Sequence, residues 1–246
     1  VENVTIVSIQ SRLVEYKDGD KLLEGMLAWD DSINAPRPGI LVSHAWRGRS
    51  EFEDGKAMEL AALGYTAFAL DLYGKGVRGN SVEENSALMQ PFIDDRTMLQ
   101  QRLLLSLGVL REQREVEASM VAAIGFCFGG LCVLDIARSG ADLAGVVSFH
   151  GLLGAPSTAD DAPIKARVLV LHGWDDPMGP PEDVLALSKE LSMRSADWQL
   201  HAYGNTLHAF TNPAANDRVM GTVYDPSADR RSWAAMRNFL DELFSG

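Results

Sequence analysis

A short apolar run enters a glycine-rich turn near the middle of the chain, and this feature constrains the fold most strongly. Residues 121–125 read as a buried strand, Gly125 begins the sequence Gly-Phe-Cys-Phe-Gly-Gly, and residues 127–138 read as an apolar helix. A sharp turn from strand to helix needs glycines two positions before and after its apex, because side chains there would collide. Cys127 is that apex, at a helix N-terminus that favours the thiolate. The pattern predicts a nucleophile; a buried cysteine in a packing turn is the alternative.

Short apolar runs alternate with helical stretches along most of the chain, which predicts an α/β fold. Runs that are apolar almost throughout are typical of parallel strands covered on both faces. The alternation places helices on both faces of a mostly parallel central sheet. An Asp-Gly turn at residues 17–20 predicts an antiparallel N-terminal hairpin before that sheet. The predicted strands are residues 5–16, 21–29, 39–43, 66–70, 121–125, 145–149, 168–171 and 197–203.

Local signals predict where the helices begin and end. Gly64 is a left-handed cap for the first helix. Ser81 begins a capping-box sequence that opens the next helix, and Pro91 suits the first turn of another helix, whose apolar stripe begins at Phe92. No repeat or linker interrupts the chain, so residues 1–246 are predicted to form a single domain. The remaining predicted helices are residues 51–63, 127–138, 182–191 and 231–244.

Charge and cysteine content limit the possible partners. The formal net charge of −12 and the pI of about 4.8 argue against nucleic-acid binding, because phosphates attract clustered Lys and Arg. The same charge repels anionic membranes, and no apolar run approaches the ~18 residues that span a bilayer. Two cysteines without a Cys-x-x-Cys spacing fit reduced thiols, and residues 1–4 lack a signal pattern. We expect a cytoplasmic monomer or homodimer with a small-molecule partner, and neither nucleic acid nor membrane.

Two later segments supply an acid and a base for Cys127. The strand at residues 167–172 leads into Gly-Trp-Asp-Asp-Pro, in which Asp176 is the candidate acid and Asp175 the alternative. His208 is the candidate base, because it follows the last predicted strand on a loop. The resulting chain order of nucleophile, acid and base is the order of α/β-hydrolases. The other histidines do not follow the last strand, although any of them could line the site: His44, His150 and His172 end predicted strands, and His201 lies within one.

The first central strand leads to a candidate oxyanion hole. In such folds one donor is the backbone N–H after the nucleophile, here Phe128, and the second comes from the loop after this strand, here Trp46. An ordinary exit from the strand is the alternative for Trp46. Tyr73 and Phe210 are candidate walls of the substrate pocket, although aromatic packing would explain them as well.

Four segments together resemble the dienelactone hydrolase family over nearly the whole chain. The resemblance implies an α/β-hydrolase fold and a triad of Cys127, Asp176 and His208, without metal or organic cofactor. It also implies hydrolysis of a lactone or activated ester, since the family's namesake converts enol-lactones to open-chain acids. The segments are residues 69–74 (Ala-Leu-Asp-Leu-Tyr-Gly), 125–130 (Gly-Phe-Cys-Phe-Gly-Gly), 172–177 (His-Gly-Trp-Asp-Asp-Pro) and 208–213 (His-Ala-Phe-Thr-Asn-Pro).

Two positions depart from the family pattern. Many members carry an acidic residue directly after the position of His44, where this chain has Ala45. Family lactonases also hold the substrate carboxylate with arginine, including one shortly after the catalytic histidine, where this chain has Asn212. The candidates to replace that arginine, with surface charge as the alternative for each, are Arg47, Arg49 and Arg78.

Three other functions remain open. The chain could be a general carboxylesterase or thioesterase, or a hydrolase-fold binding protein that has lost catalysis. A redox-sensing pair of Cys127 and Cys132 is a further alternative. Because both cysteines lie in one predicted helix, with only Cys127 at its exposed end, a disulfide between them is geometrically unfavourable.

Overall fold

The centre of the structure is an eight-stranded sheet, which the computed structural model shows within the described residues, 8–157 and 162–245. The strands are β1 Ile9–Asp18, β2 Lys21–Asp30, β3 Arg37–Ser43, β4 Thr66–Ala69, β5 Val116–Phe126, β6 Gly145–Phe149, β7 Arg167–Gly173 and β8 Trp198–Tyr203. Their order across the sheet is β1-β2-β4-β3-β5-β6-β7-β8. Strands β3 to β8 pair in parallel. The predicted α/β fold is therefore confirmed.

The N-terminal hairpin is present as predicted. Strands β1 and β2 pair in antiparallel register from Ile9 opposite Asp30 to Asp18 opposite Lys21, and Gly19 adopts the left-handed backbone of the turn (φ +58°). β2 continues the sheet by antiparallel pairing with β4. Residues 5–7 of the first predicted strand lie outside the described residues, and a single domain over residues 1–246 stays a prediction.

Six helices cover the two faces of the sheet within the described residues. Alternate strand residues point to opposite faces, so that in β3 Leu41 joins one core cluster while Ile40 and Val42 join the other. Residues of α1 and α6 belong to the core cluster of Ile40, and residues of α3, α4 and α5 belong to the cluster of Leu41. None of the described helices is long and apolar enough to cross a membrane. The helices are α1 Glu51–Ala62, α2 Val82–Asp94, α3 Arg96–Arg111, α4 Phe128–Arg138, α5 Pro181–Met193 and α6 Pro226–Phe244.

The helix boundary predicted at Pro91 is wrong. Pro91 and Phe92 lie inside α2, and the break falls at Asp95, whose carboxylate accepts the Met98 N–H at 2.9 Å and so caps α3. A proline removes a single N–H from the helix. Near the end of α2 this loss is tolerated, whereas Asp95 satisfies the free N–H groups that every helix start must satisfy.

The predicted helix start at Ser81 is confirmed, but its capping box is half formed. The Ser81 hydroxyl accepts the Glu84 N–H at 3.2 Å, while the Glu84 carboxylate binds the N–H of Asn80 rather than that of Ser81. A complete capping box occurs instead at α1, where Ser50 and Glu53 satisfy each other's backbone N–H groups. This box brings the Glu53 carboxylate next to the loop after β3.

The far end of α4 is fixed by a buried arginine. Arg138 binds Glu190 of α5 at 2.7 Å and Asp135 at 3.1 Å, and its guanidinium also donates to the Leu153 carbonyl at 3.0 Å. Breaking a buried ion pair of this kind leaves an uncompensated charge, which costs about 3–5 kcal/mol. The network therefore holds in place the helix whose other end carries Cys127.

Candidate active site

Cys127 occupies a turn that sterically requires glycine on both sides. It lies between β5 and α4 with φ 56° and ψ −116°, a backbone conformation that non-glycine residues adopt rarely. A Cβ at Gly125 would lie 2.0 Å from the Gly129 carbonyl oxygen, and a Cβ at Gly129 would lie 2.2 Å from the Ser43 carbonyl oxygen. The turn therefore closes β5 onto α4 and brings α4 against the end of β3.

The candidate acid and the candidate base contact each other directly. The Nδ1 atom of His208 lies 2.7 Å from Oδ2 of Asp176, and both side chains are buried. The other carboxylate oxygen of Asp176 accepts the Met178 N–H at 2.8 Å, so the carboxylate is held on both sides. Asp175, the alternative acid, is exposed to solvent. The structure therefore pairs His208 with Asp176.

The charge of His208 is linked to Cys127. Burial lowers the pKa of His208, but the Cys127 thiolate and the Asp176 carboxylate more than compensate and raise this pKa to about 10. Within the described residues, Nε2 of His208 has no hydrogen-bond partner that is a nitrogen or oxygen atom. His208 and Cys127 both line the same cavity. Nε2 is therefore available to take the proton of the thiol.

A small ribbon missed by the sequence analysis holds the His208 loop. Strands β9 Asn216–Asp217 and β10 Thr222–Val223 form it, the His208 N–H donates to the Gly221 carbonyl at 2.9 Å, and the Val223 N–H donates to the His208 carbonyl at 3.0 Å. Gly221 has φ +77°, and a Cβ there would meet Pro177, directly after Asp176, at 2.3 Å. The glycine is the one local signal for this turn, and the ribbon packs on the acid turn as well as on the base.

Backbone contacts hold the loop after β3 around Trp46. The Glu53 carboxylate accepts the Ala45 N–H at 3.1 Å, and the Tyr73 hydroxyl donates to the Trp46 carbonyl at 3.0 Å. The Trp46 N–H has no hydrogen-bond partner in the part of the chain that the structure describes. Phe128 is the first residue of α4, so its N–H lacks an acceptor within the helix. The N–H groups of Trp46 and Phe128 are therefore two backbone donors without an acceptor in their own loop or helix. Trp46 also lines the cavity.

The cavity has a volume of about 640 Å³ and a mixed lining. Arg47 and Arg78 both line it, as do Asn212 and three methionines. The Nε atom of Arg47 donates to the Gly79 carbonyl at 3.0 Å, whereas Arg78 forms no ion pair among the described residues. The full lining is Ala45, Trp46, Arg47, Ser50, Glu51, Phe52, Glu53, Arg78, Asn85, Met89, Phe126, Cys127, His150, Leu152, Met178, His208, Ala209, Asn212, Ala214, Ala215, Met220 and Thr222.

Two residues expected to line the pocket lie behind its wall instead. Tyr73 is 2% exposed and supports Trp46 through its hydroxyl, and Phe210 is fully buried with its ring 5.0 Å from that of His150. Neither is part of the cavity lining. Both predictions are corrected because sequence position places a residue near a site without fixing the direction of its side chain. Arg49 is likewise turned away and binds Asp54 at 2.7 Å.

Three of the remaining histidines are buried at strand ends. Burial lowers the pKa of His44, His150 and His172, so all three are neutral near pH 7. Of the three, His150 alone lines the cavity. Among residues 8–157 and 162–245, no group of three or more His, Cys, Asp or Glu side chains could hold a metal ion.

The two cysteines have different surroundings. Cys127 is half-buried at the cavity, while Cys132 is fully buried in the core formed with α3 and α4. Burial raises the pKa of the Cys132 thiol far above its usual value, which leaves this thiol unreactive. Cys132 therefore serves as a matched control for Cys127.

An open, mostly parallel sheet with a sharp strand-to-helix turn at Cys127 after its central strand and an Asp–His pair on later loops defines an α/β hydrolase. The sequence model of the dienelactone hydrolase family matches residues 23–244. The chain belongs to the dienelactone hydrolase family, as the four sequence segments predicted.

Similar proteins give further context. The crystal structure of the dienelactone hydrolase-like promiscuous phosphotriesterase P91 from metagenomic libraries is 38% identical, with a TM-score of 0.92 over 96% of this chain and 99% of that one. An uncharacterized protein of Caenorhabditis elegans is 36% identical over 62% of this chain and 98% of its own length. A Bradyrhizobium protein named as a probable 2-oxo-3-(5-oxofuran-2-ylidene)propanoate lactonase is 25% identical over 80% of both chains.

Replacing Gly129 by Ala tests the steric requirement of the turn. The new Cβ would collide with the Ser43 carbonyl at 2.2 Å, so the free energy of unfolding should fall by about 1–3 kcal/mol or more in urea titrations. Gly55→Ala in α1 is the matched control, because no atom lies within 4 Å of its Cβ. That variant should gain roughly 0.5–1 kcal/mol. Equal stability of the two variants would contradict the role of Gly129.

Proposed function

We propose that this hydrolase cleaves lactones or activated carboxylic esters through an acyl-thioester on Cys127. The observation that carries the proposal is the buried Asp176–His208 pair, whose histidine lines the same cavity as Cys127 and has a pKa raised by the thiolate. A half-buried thiol at a helix N-terminus beside a histidine that accepts its proton is an activated nucleophile.

The proposed reaction has two stages. Nε2 of His208 takes the proton from Sγ of Cys127, and the thiolate attacks the carbonyl carbon of the substrate. The tetrahedral intermediate collapses, the C–O bond to the leaving group breaks, and His208 returns the proton to the departing oxygen. His208 then takes a proton from a water molecule, whose oxygen attacks the thioester carbonyl carbon. The C–S bond breaks, the carboxylic acid is released, and His208 returns the proton to the sulfur of Cys127.

The N–H groups of Trp46 and Phe128 are proposed to stabilise the oxyanion in both stages. One such donor lowers the barrier by about 2.7–4 kcal/mol when it is already in position. Trp46 is fixed by the contact of its own carbonyl with Tyr73 and by the bond between Ala45 and Glu53. Asp176 holds the proton of His208 on Nδ1, which leaves Nε2 free to receive the thiol proton.

The nucleophile favours substrates with a good leaving group. A thiolate is itself expelled easily from a tetrahedral intermediate, so it leaves in preference to a poor leaving group such as an unactivated alkoxide or an amide nitrogen. Enolates and phenolates leave more easily than the thiolate, and the acyl-thioester then forms. We therefore place enol-lactones and activated esters ahead of amides as substrates.

Arg47 and Arg78 are proposed to bind a carboxylate on the substrate. Both line the cavity, and Arg78 forms no ion pair among the described residues, so its guanidinium is available to a ligand. Arginine binds carboxylates through two parallel hydrogen bonds. At the Asn212 position, which lacks the arginine that family lactonases use, a neutral amide lines the cavity instead.

The Cys127→Ala variant tests the nucleophile. Because no other described cysteine lines the cavity, hydrolysis of p-nitrophenyl acetate and of an enol-lactone should each fall on the order of 10³-fold or more. Cys132→Ala removes a thiol of the same helix that lies in the core, and it should retain the wild-type rate. Full activity of Cys127→Ala would overturn the proposal.

The Arg78→Gln variant tests the carboxylate site. We expect KM for a carboxylate-bearing enol-lactone to rise about tenfold, because a charged hydrogen bond contributes roughly 1.5–3 kcal/mol. KM for neutral p-nitrophenyl acetate should stay unchanged. Arg167→Gln is the control, since Arg167 pairs with Asp197 and Glu242 on the surface. Equal changes in KM for both substrates would show that Arg78 does not bind the substrate carboxylate.

Two alternative functions, a general esterase or thioesterase and a binding protein without catalysis, predict different experimental results. A general carboxylesterase or thioesterase would turn over p-nitrophenyl acetate better than an enol-lactone. A binding protein without catalysis would leave Cys127 unreactive to iodoacetamide at neutral pH.

A second candidate activity is attack on the phosphorus of a phosphotriester, favoured by the likeness to P91 over nearly the whole chain. Turnover of an aryl phosphotriester that Cys127→Ala abolishes would support it.

A further inference from the structure

His150 joins the nucleophile turn to the loop that carries the base. Its Nδ1 atom lies 3.2 Å from the backbone nitrogen of Cys127, and its Nε2 atom lies 2.8 Å from Oγ1 of Thr211. A backbone N–H can only donate, so Nδ1 is the acceptor and Nε2 carries the ring hydrogen. His150 therefore donates to Thr211, which lies three residues after His208.

The ring of His150 is held rigidly between aromatic neighbours. Its centroid lies 5.1 Å from that of His208 at an interplanar angle of 67°, and 5.0 Å from that of Phe210 at 81°. The residue is 2% exposed and has φ +38°, a strained backbone that persists only where the surroundings impose it. Strain of this kind occurs more often at functional sites than elsewhere.

The ring stays neutral beside a charged partner. Burial lowers the pKa of His150 well below its usual value, and the positive charge of His208 lowers it further. A neutral ring keeps the lone pair on Nδ1 that accepts the Cys127 N–H. The titratable and charged groups around the thiol and imidazole are Asp176 and His172 from the β7 side, His150 after β6, Tyr73 after β4, Glu51 and Glu53 from α1, and Arg47 and Arg78 from the cavity lining.

We propose that His150, through Thr211, is a positioning residue that sets the geometry in which Cys127 gives its proton to His208. This inference rests on the proposed function. The Cys127 N–H is shared between Nδ1 of His150 and the Phe149 carbonyl at 3.0 Å, which fixes the apex of the turn. The bond to Thr211 fixes the other partner, because Thr211 and His208 belong to one short loop.

Loss of the bond between His150 and Thr211 should weaken the thiolate–imidazolium pair. Thr211→Val keeps the shape of the side chain and removes the acceptor of the Nε2 hydrogen. His150→Asn removes the same bond while it retains an oxygen near the position of Nδ1, and asparagine tolerates positive φ. The rate at which iodoacetamide alkylates Cys127 is then measured from pH 5 to pH 10, with Cys132→Ala as the common background.

At pH 6–7 we expect alkylation in both variants to fall about tenfold, because a displaced His208 takes the proton of Cys127 less readily. The rates should converge with those of the parent towards pH 10, where hydroxide removes this proton in every variant. His150→Phe, which loses both hydrogen bonds, should show a larger shift. If that variant does not fold, Thr211→Val and His150→Asn decide the question.

Thr66→Val provides the structural control. The Thr66 hydroxyl is fully buried and donates to the Glu115 carbonyl at 2.9 Å, far from the cavity lining, so its loss lowers stability without reaching Cys127. A shifted alkylation profile in Thr211→Val with an unshifted one in Thr66→Val supports the proposal. Unshifted profiles in both variants overturn it, and they do so even if Cys127→Ala shows that the cysteine is the nucleophile.

Discussion

The rest of the site depends on one close approach of backbone to backbone. Gly129 at the start of α4 lies against the Ser43 carbonyl at the end of β3, with no space for a Cβ, while Gly125 lies equally close to Gly129. This contact fixes the turn at Cys127 against the neighbouring strand. It also brings the N–H of Phe128 to the same edge of the sheet as the loop that carries Trp46. A steric constraint thus positions the groups whose proposed roles are attack and oxyanion binding.

Opposite this turn, hydrogen bonds rather than steric contact fix the candidate base, His208. His208 is held at its ring by Asp176 and at its backbone by the ribbon through Gly221, and the loop is tied to His150 through Thr211. The buried histidines around it stay neutral, so Cys127 and Asp176 are the two groups that raise the pKa of His208. The charges at this site are therefore concentrated on the Cys127 sulfur and the His208 ring. Electrostatic interactions between them are strong, because the cavity is partly desolvated and its dielectric constant is lower than that of water.

Features encoded locally in the chain were predictable, and features set by tertiary packing were not. The turn around Cys127 and the sheet followed from glycine spacing and apolar runs, and the Asp176–His208 contact followed from their order along the chain. The helix boundary predicted at Pro91 was wrong because a helix tolerates a proline near its end when a stronger cap follows it. Tyr73 and Phe210 were placed wrongly because the direction of a side chain at a strand end depends on neighbours far away in sequence. Hydrogen bonds such as those of His150 join residues that are distant in sequence, so they produce no periodic pattern from which they could be predicted.

The central claim is a covalent acyl group on Cys127, and mass spectrometry tests it most directly. The protein is mixed with p-nitrophenyl acetate, quenched in acid before the first turnover is complete, and digested. The account predicts a burst of p-nitrophenolate equal to the active protein, and the mass of one acetyl group on the peptide that contains Cys127. Turnover with the acetyl group on another residue, or with no acylated peptide and no burst, would contradict it.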